Sequence, residues 1–307
     1  MITSVCMNPS FDRTVELEQL AMGQVNRVKP ISLDMGGKGI NVAVVAHRLG
    51  LESKVVGCMA EDGAAQLYAM LRNEEIQSSF MSVHGRIRTN LKLCIANDPS
   101  VTELNEPGDP LTEDDLKKFE SFLQAESKNA TTVVMTGSLP PGCPAGTYRN
   151  LMRSLEGRPC VLDATGDELL LGAEATPFLV KPNLHELQAT LRLELRTLRS
   201  IRDACHIFLS KGVQHMVVSM GVMGAVYVDH QTTLFAPALR VDVKSTVGAG
   251  DAMLGGILKG LEEEGDMKQA FRYGVAAGAA SVMTEGTKLI RPRDFYCLLD
   301  QVKVQEV

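Results

Sequence analysis

From about residue 50 onward, short apolar and β-branched runs alternate with stretches whose apolar positions recur at helical spacing. The runs at 54–59, 131–135, 160–163, 178–181 and 216–220 predict buried strands. Segments 64–73 and 145–155 predict helices between them. Strands alternating with helices imply βαβ units, and therefore a mostly parallel sheet with helices on both faces. Ligands bind such sheets beyond the carboxyl ends of the strands. The turn Gly137-Ser138-Leu139-Pro140-Pro141-Gly142, directly after one predicted strand, would lie there.

Two segments depart from this alternation. Residues 11–28 and 86–104 hold strand-like stretches (14–17, 89–95 and 101–104) with no helix between consecutive strands. They predict a small antiparallel flap on the edge of a single domain that spans 1–307. A flap with one apolar face would close over a site or pair with a second copy, making a homodimer. Pro99, Gly108 and Pro110 mark the return to the core.

The candidate chemistry sits in two glycine clusters. Thr246-Val247-Gly248-Ala249-Gly250-Asp251 runs straight into an apolar helix pattern that continues to Leu261. Free N–H groups and the positive end of a helix favour an anion at such a start. Gly248, Ala249 and Gly250 would donate to a phosphoryl group in transit, and Asp251 would take a proton from the attacking hydroxyl. Its nearness to the helix start predicts an ionised Asp251. The second cluster, Gly36-Gly37-Lys38-Gly39-Ile40-Asn41, also opens a helix pattern and adds a cation and an amide. Two anion-friendly helix starts imply two phosphorylated partners.

Composition removes several function classes. The net charge of -6 argues against nucleic acid as a partner, while leaving room for a local basic pocket. No apolar run reaches the roughly 18 residues of a membrane span, and the N-terminal residues lack a secretory pattern. A cytoplasmic protein is expected. The seven cysteines show no C-x-x-C pair, and the six histidines show no metal spacing. A G-x-G-x-x-G fingerprint is missing from the first predicted strand–helix turn, which argues against a dinucleotide oxidoreductase.

Taken in order, the motifs resemble the PfkB branch of the ribokinase-like carbohydrate kinases along essentially the whole chain. They are Asn8-Pro9-Ser10-Phe11-Asp12, the Gly36–Asn41 cluster, Arg88-Thr89-Asn90-Leu91-Lys92 and the Gly137–Gly142 turn. Lys181-Pro182-Asn183-Leu184-His185-Glu186, Ser219-Met220-Gly221, the Thr246–Asp251 cluster and Gly274-Val275-Ala276-Ala277-Gly278 complete the set. The resemblance implies a ribokinase-like three-layer α/β/α fold with a β lid, and transfer of phosphate from Mg-ATP to a sugar phosphate. Lys38 and the Asn90-x-Lys92 pair look most like the 1-phosphofructokinase type. Tagatose 6-phosphate and fructose 6-phosphate are the alternative acceptors, and a sugar-phosphate or nucleotide sensor is the alternative outside enzymes.

Residue by residue, the resemblance implies that Asp251 is the general base and that Gly248–Gly250 form the anion hole. Asp12 would accept from two sugar hydroxyls, with Gly37, Asn41 and Ser138 beside the same sugar. Lys38 and Arg88 would converge on the acceptor's existing phosphate, helped by Arg27 from the flap or across a dimer. Alternation along the flap leaves the direction of Lys92 open. Lys181, Asn183, Ser219, Gly221 and Gly224 resemble nucleotide contacts. Asn183 and Glu186 are three apart at a helix start, a spacing that suits capping and also a Mg²⁺ position reached through water. Ser245 stands where relatives often carry an Asp for a monovalent cation.

Overall fold

Continuous apolar runs need cover on both faces, and the fold supplies it with helices. The computed structural model describes residues 1–96, 98, 101–286 and 288–307. The chain opens with β1 (Ile2–Cys6), β2 (Ser10–Leu17), β3 (Lys29–Gly36), α1 (Lys38–Arg48), β4 (Ser53–Asp62), α2 (Ala64–Asn73), β5 (Gln77–Arg86), β6 (Arg88–Ile95) and β7 (Val101–Asn105). Next come α3 (Glu113–Glu126), β8 (Thr132–Thr136), α4 (Thr147–Ser154), β9 (Cys160–Asp163), α5 (Gly166–Gly172), β10 (Leu179–Val180), α6 (Leu184–Leu191), α7 (Leu198–Leu209) and β11 (His215–Ser219). It closes with β12 (Ala225–Val228), β13 (Thr233–Ala236), α8 (Ala249–Glu264), α9 (Met267–Val282), α10 (Pro292–Leu299) and β14 (Gln305–Glu306).

The large sheet has the order β14-β13-β12-β11-β10-β9-β8-β1-β4-β5. Pairing is parallel from β5 through β11 and antiparallel from β11 to β14. Alternate strand residues face opposite layers. Val55, Val134, Val161 and Val217 pack with α1, α2, α8, α9 and α10, while Val5, Val56, Val133, Leu162 and Val218 pack with α3 to α7. The result is the expected α/β/α sandwich. The antiparallel end strands β12 to β14 were not read from the sequence, because their short runs carry no signal of direction.

A second, four-stranded sheet has the order β3-β2-β6-β7. Its outer pairs are antiparallel, whereas β2 and β6 run parallel. The parallel pair follows from the connection, since α1 through β5 intervene and a long crossover returns the chain in the same direction. Strand β3 lies outside the expected flap segments. Pro30 and Asp34 disguise it, yet Pro is tolerated there because β3 is an edge strand. Residues 18–28, including Arg27, form the turn at its tip. Pro99 lies outside the described residues.

One buried tyrosine fixes a turn that matters for the site. Tyr148 of α4 is fully buried and shares its single hydroxyl proton between Thr136 O and Gly137 O, both at 3.0 Å. This bond pins the backbone that leaves β8 and carries Ser138 outward. Helix α8 is buried along Asp251–Gly260, because α1 and α9 flank it on two sides.

Candidate active site

The carboxyl ends of the parallel strands deliver Asn8 after β1, Ser138 after β8, Asp163 from β9, Lys181 after β10 and Ser219 from β11. The starts of α1 and α8 meet them. Two cavities result. One, of about 560 Å³, is polar and includes Asp12, Lys38, Arg88, Asp163, Lys181 and Asp251. The other, of about 670 Å³, is walled mainly by apolar and small residues such as Leu239, Val241, Met253, Val275 and Gly278. Asn183, Ser219, Thr246 and Gly250 line both, so the cavities adjoin at the start of α8.

Gly248 caps α8 with φ 76°, a left-handed conformation that glycine adopts without steric cost. Leu289 packs directly behind it, and a Cβ at Gly248 would meet Leu289 Cδ2 at 2.7 Å. The loop carrying Leu289 is held from the far end of α1, where Arg48 Nη1 donates to Lys288 O at 2.6 Å. Asp251, three residues on, is buried and accepts from Asn41 Nδ2 at 2.8 Å. Burial pushes its carboxyl up to about 6, against the pull of Lys38, the Asn41 bond and Lys181, and with help from nearby Asp163. The helix start alone predicted an easily ionised acid; desolvation overrides that local effect. A carboxylate in this position can exchange a proton near neutrality.

Asp163 organises the cations. It is buried, and Thr136 Oγ1 donates to its Oδ2 at 2.8 Å. Lys38 Nζ stands 3.5 Å from Oδ2, and Lys181 Nζ stands 3.4 Å from Oδ1. Burial would raise the Asp163 carboxyl, but Lys181, Lys38 and Thr136 together hold it down at about 2. Lys38 also approaches Glu186 Oε1 at 3.6 Å. Its ammonium is held more firmly protonated by Asp163 first, against burial, with Asp251 and Glu186 adding. Glu186 and Asn183 form a reciprocal capping box at 2.8 Å each way, which leaves Glu186 Oε1 outside the box.

On the lid side, Asp12 is buried. Its Oδ1 accepts from Asn90 Nδ2 at 2.9 Å and Ser10 Oγ at 3.0 Å, and its Oδ2 from Lys92 Nζ at 2.7 Å. Arg88 makes four bonds, two to Asn8 O and one each to Glu106 O and Asn90 Oδ1. A guanidinium has five N–H groups, so Arg88 acts largely as a strut between lid and strand ends.

Residues 6–293 match the pfkB family carbohydrate kinase family. The chain belongs to that family. Membership makes it an ATP-dependent sugar kinase. It is 32% identical over 309 residues to 1-phosphofructokinase of Escherichia coli (strain K12), covering 99% of this chain and 98% of that protein. Phosphofructokinase-2 from Escherichia coli in complex with potassium superposes with TM-score 0.91 at 28% identity, covering 98% of each chain. The tetrameric inhibited form of the same enzyme gives TM-score 0.90 at 27% identity, again over 98% of each chain.

In this pfkB-family kinase, most residues singled out in the sequence gather at the two cavities. Asp12, Gly37, Lys38, Asn41, Arg88, Ser138, Gly248 and Asp251 line the polar one; Gly221, Gly224 and Ala249 line the apolar one. Asn183, Ser219 and Gly250 border both, and Lys181 and Glu186 line the polar cavity. Arg27 does not join them. It lines an outer groove with Glu16, Glu18 and Lys29. Lys38 and Arg88, expected to converge on the acceptor's phosphate, both line the polar cavity, where Lys38 faces Asp163 and Glu186 and Arg88 ties the lid to the strand ends. Asp163, not singled out in the sequence, lines the polar cavity, and Lys92, whose direction the sequence left open, turns into it. The available signal for Asp163 was a lone carboxylate closing the apolar run Cys160-Val161-Leu162. For Lys92 it was alternation, with Asn90 and Lys92 sharing one face while Leu91 and Leu93 share the other.

Proposed function

We propose that this kinase is a 1-phosphofructokinase. The 6-hydroxyl of fructose 1-phosphate attacks the γ-phosphorus of ATP and gives its proton to Asp251. The bond from γ-phosphorus to the bridging oxygen breaks, and ADP leaves with fructose 1,6-bisphosphate as product. One observation carries the reading: a polar and an apolar cavity adjoin at the α8 start, with Gly250 in both and Asp251 beside it. Adenine suits the apolar side, and a sugar phosphate suits the polar one. The backbone N–H groups of Gly248–Gly250 would stabilise the transferring phosphoryl group, since such transfer relies on positioning and electrostatics. In the same reading, Lys38 balances charge between donor and acceptor. Asp12, Gly37, Asn41 and Ser138 hold the sugar, and Lys181, Asn183, Ser219, Gly221 and Gly224 border the nucleotide. The resemblance of Lys38 and Asn90-x-Lys92 favours fructose 1-phosphate over the 6-phosphates. A cytoplasmic location belongs to this reading.

Magnesium fits the residues present through Glu186. Glu186 Oε1 is the carboxylate oxygen left over from the capping box, and no group of three His, Cys, Asp or Glu side chains able to hold a metal occurs among the described residues. That donor set suits Mg²⁺ held through water and nucleotide phosphates, with Glu186 as its protein partner. Bound there, the ion would neutralise phosphate charge.

The decisive experiment measures ADP release with Mg-ATP and, separately, fructose 1-phosphate, fructose 6-phosphate and tagatose 6-phosphate. A kcat/KM preference for fructose 1-phosphate is expected. Preference for a 6-phosphate would reverse the acceptor's orientation, and binding of Mg-ATP without turnover on any hexose phosphate would favour a sensor.

The pH profile offers a second check. Asp251 must be ionised to act as base, so kcat/KM should fall on the acid side with an apparent pKa near 6. Lys38 lowers that pKa, so Lys38→Met should move the acid limb upward. An unmoved limb would remove Lys38 from the surroundings of the base.

We also propose a homodimer through the outer face of the lid. No helix among the described residues is long and apolar enough to cross a membrane, yet Ile31, Leu33 and Leu104 are exposed on the lid. Such an apolar edge is a natural pairing surface. Leu33→Asp should shift the sedimenting species toward monomer; an unchanged mass would exclude this face.

A further inference from the structure

We infer that Lys92 reads the acceptor sugar: with Asp12 it forms a donor–acceptor pair that recognises two neighbouring hydroxyls. The inference rests on the functional reading above and adds a specificity residue to it.

Strand register puts Lys92 on the cavity face of the lid. Asp12 pairs with Asn90, Thr14 with Lys92, Asn90 with Asn105 and Lys92 with Glu103. Directly opposed residues share a face, and Asp12, Asn90, Lys92, Glu103 and Asn105 all line the polar cavity. Leu93, the next residue, packs on the other face with Val15 and Leu17, and Leu91 packs against them. Alternation therefore aims Lys92 inward.

A lysine only 4% exposed is unusual, and it requires a partner. Asp12 is that partner, yet the pair's hydrogen-bonding capacity is not exhausted. A carboxylate offers about four lone-pair positions. Asn90 and Ser10 occupy both on Asp12 Oδ1, and Lys92 takes one on Oδ2. Among the described residues one position is left, on Oδ2. In this arrangement Asp12 has one position ready for a sugar hydroxyl.

The Lys92 ammonium has three N–H groups, and one is given to Asp12. The others can donate to a hydroxyl oxygen adjacent to the one that Oδ2 binds. An acceptor next to a donor matches a vicinal diol, because each hydroxyl can both give and take a hydrogen bond. The ligand class is a ketohexose phosphate with adjacent ring hydroxyls. Since Lys92 rides on the lid while Asn41 and Asp251 sit on the main domain, the lid must be in place for the diol to be read.

The test compares Lys92→Met, Lys92→Gln and wild type on fructose 1-phosphate and on its 3-deoxy and 4-deoxy analogues. Lys92→Met should lower kcat/KM for the parent sugar about 100-fold, the size expected when a charged donor to a substrate hydroxyl is lost. The loss should sit in KM for the sugar, with KM for ATP unchanged. It should be much smaller on one deoxy analogue, so that wild-type discrimination against that analogue disappears. Equal losses on all three sugars would overturn the proposal and leave Lys92 as a support for Asp12 alone. If removing the cation prevents folding, Lys92→Gln, which keeps a donor near Asp12 without charge or full reach, carries the same comparison. Wild-type silence on fructose 1-phosphate would instead overturn the functional reading. The three-sugar comparison would then use the ketohexose phosphate that wild type does turn over, and its deoxy analogues decide Lys92 by the same criterion.

Discussion

Asp251→Asn is expected to lower kcat by about three orders of magnitude or more, the loss of a general base together with its positioning. Asn41 can still donate to the amide oxygen, so the local geometry survives and binding of Mg-ATP should change little. The same substitution is expected to stabilise the fold. The Asp251 carboxyl is raised from 3.8 to about 6 by burial, so the folded state holds its proton more tightly than the unfolded chain does. Stability therefore falls as pH rises from about 4 to 6, and above that window the ionised acid costs roughly 2–3 kcal/mol. A neutral amide avoids that cost. A urea midpoint measured at pH 8 should rise in the variant, while at pH 4 the two proteins should converge. Retention of kcat within tenfold would remove Asp251 as the base. A lower midpoint at pH 8 would show that its charge is compensated in the fold.

Asp163→Ala is expected to have the next largest effect, and it acts on stability first. Removing one partner of a buried ion pair typically costs about 3–5 kcal/mol, because the remaining charge stays buried without compensation. Here two lysines lose their shared anion, and Lys181 is itself buried. The pH dependence has the opposite sign to that of Asp251. The folded-state pKa of Asp163 is depressed to about 2, so its contribution is present above 3.8 and is lost as pH falls toward 2. The variant should therefore be less stable than the parent at pH 7 and approach it at low pH.

Activity gives an independent readout for Asp163. We propose it as a positioning residue that holds Lys38 and Lys181 at the polar cavity, so kcat should fall by about 100-fold as those cations relax. Asp163 also contributes to the raised pKa of Asp251, so the acid limb of kcat/KM should move below 6 in the variant. A purely structural role would reduce the amount of folded enzyme without moving that limb. A stable variant with an unmoved limb would sink the assignment.

What the sequence determined by itself is everything governed by neighbours within a few positions. Alternation of apolar runs and helix-period stretches set the layered α/β architecture, because burial on both faces of a strand is a local pattern repeated along the chain. The turn before α8 and the Asn183–Glu186 capping box were equally legible, since a helix start and an i, i+3 pair are complete within one turn. The edge strand β3 escaped because Pro30 and Asp34 carry turn chemistry that only its edge position permits.

The tertiary structure decided which charges meet. Lys92 reaches Asp12 across 80 positions, Lys38 reaches Asp163 across 125, and Asn41 reaches Asp251 across 210. No spacing rule links such residues; the crossover topology brings their strand ends together. It also decided the protonation of Asp251. The helix start, a local feature, favours the carboxylate, whereas burial between α1 and α9 favours the acid and prevails. Desolvation depends on what the rest of the chain stacks over a group, so it is written in the packing and not in the motif.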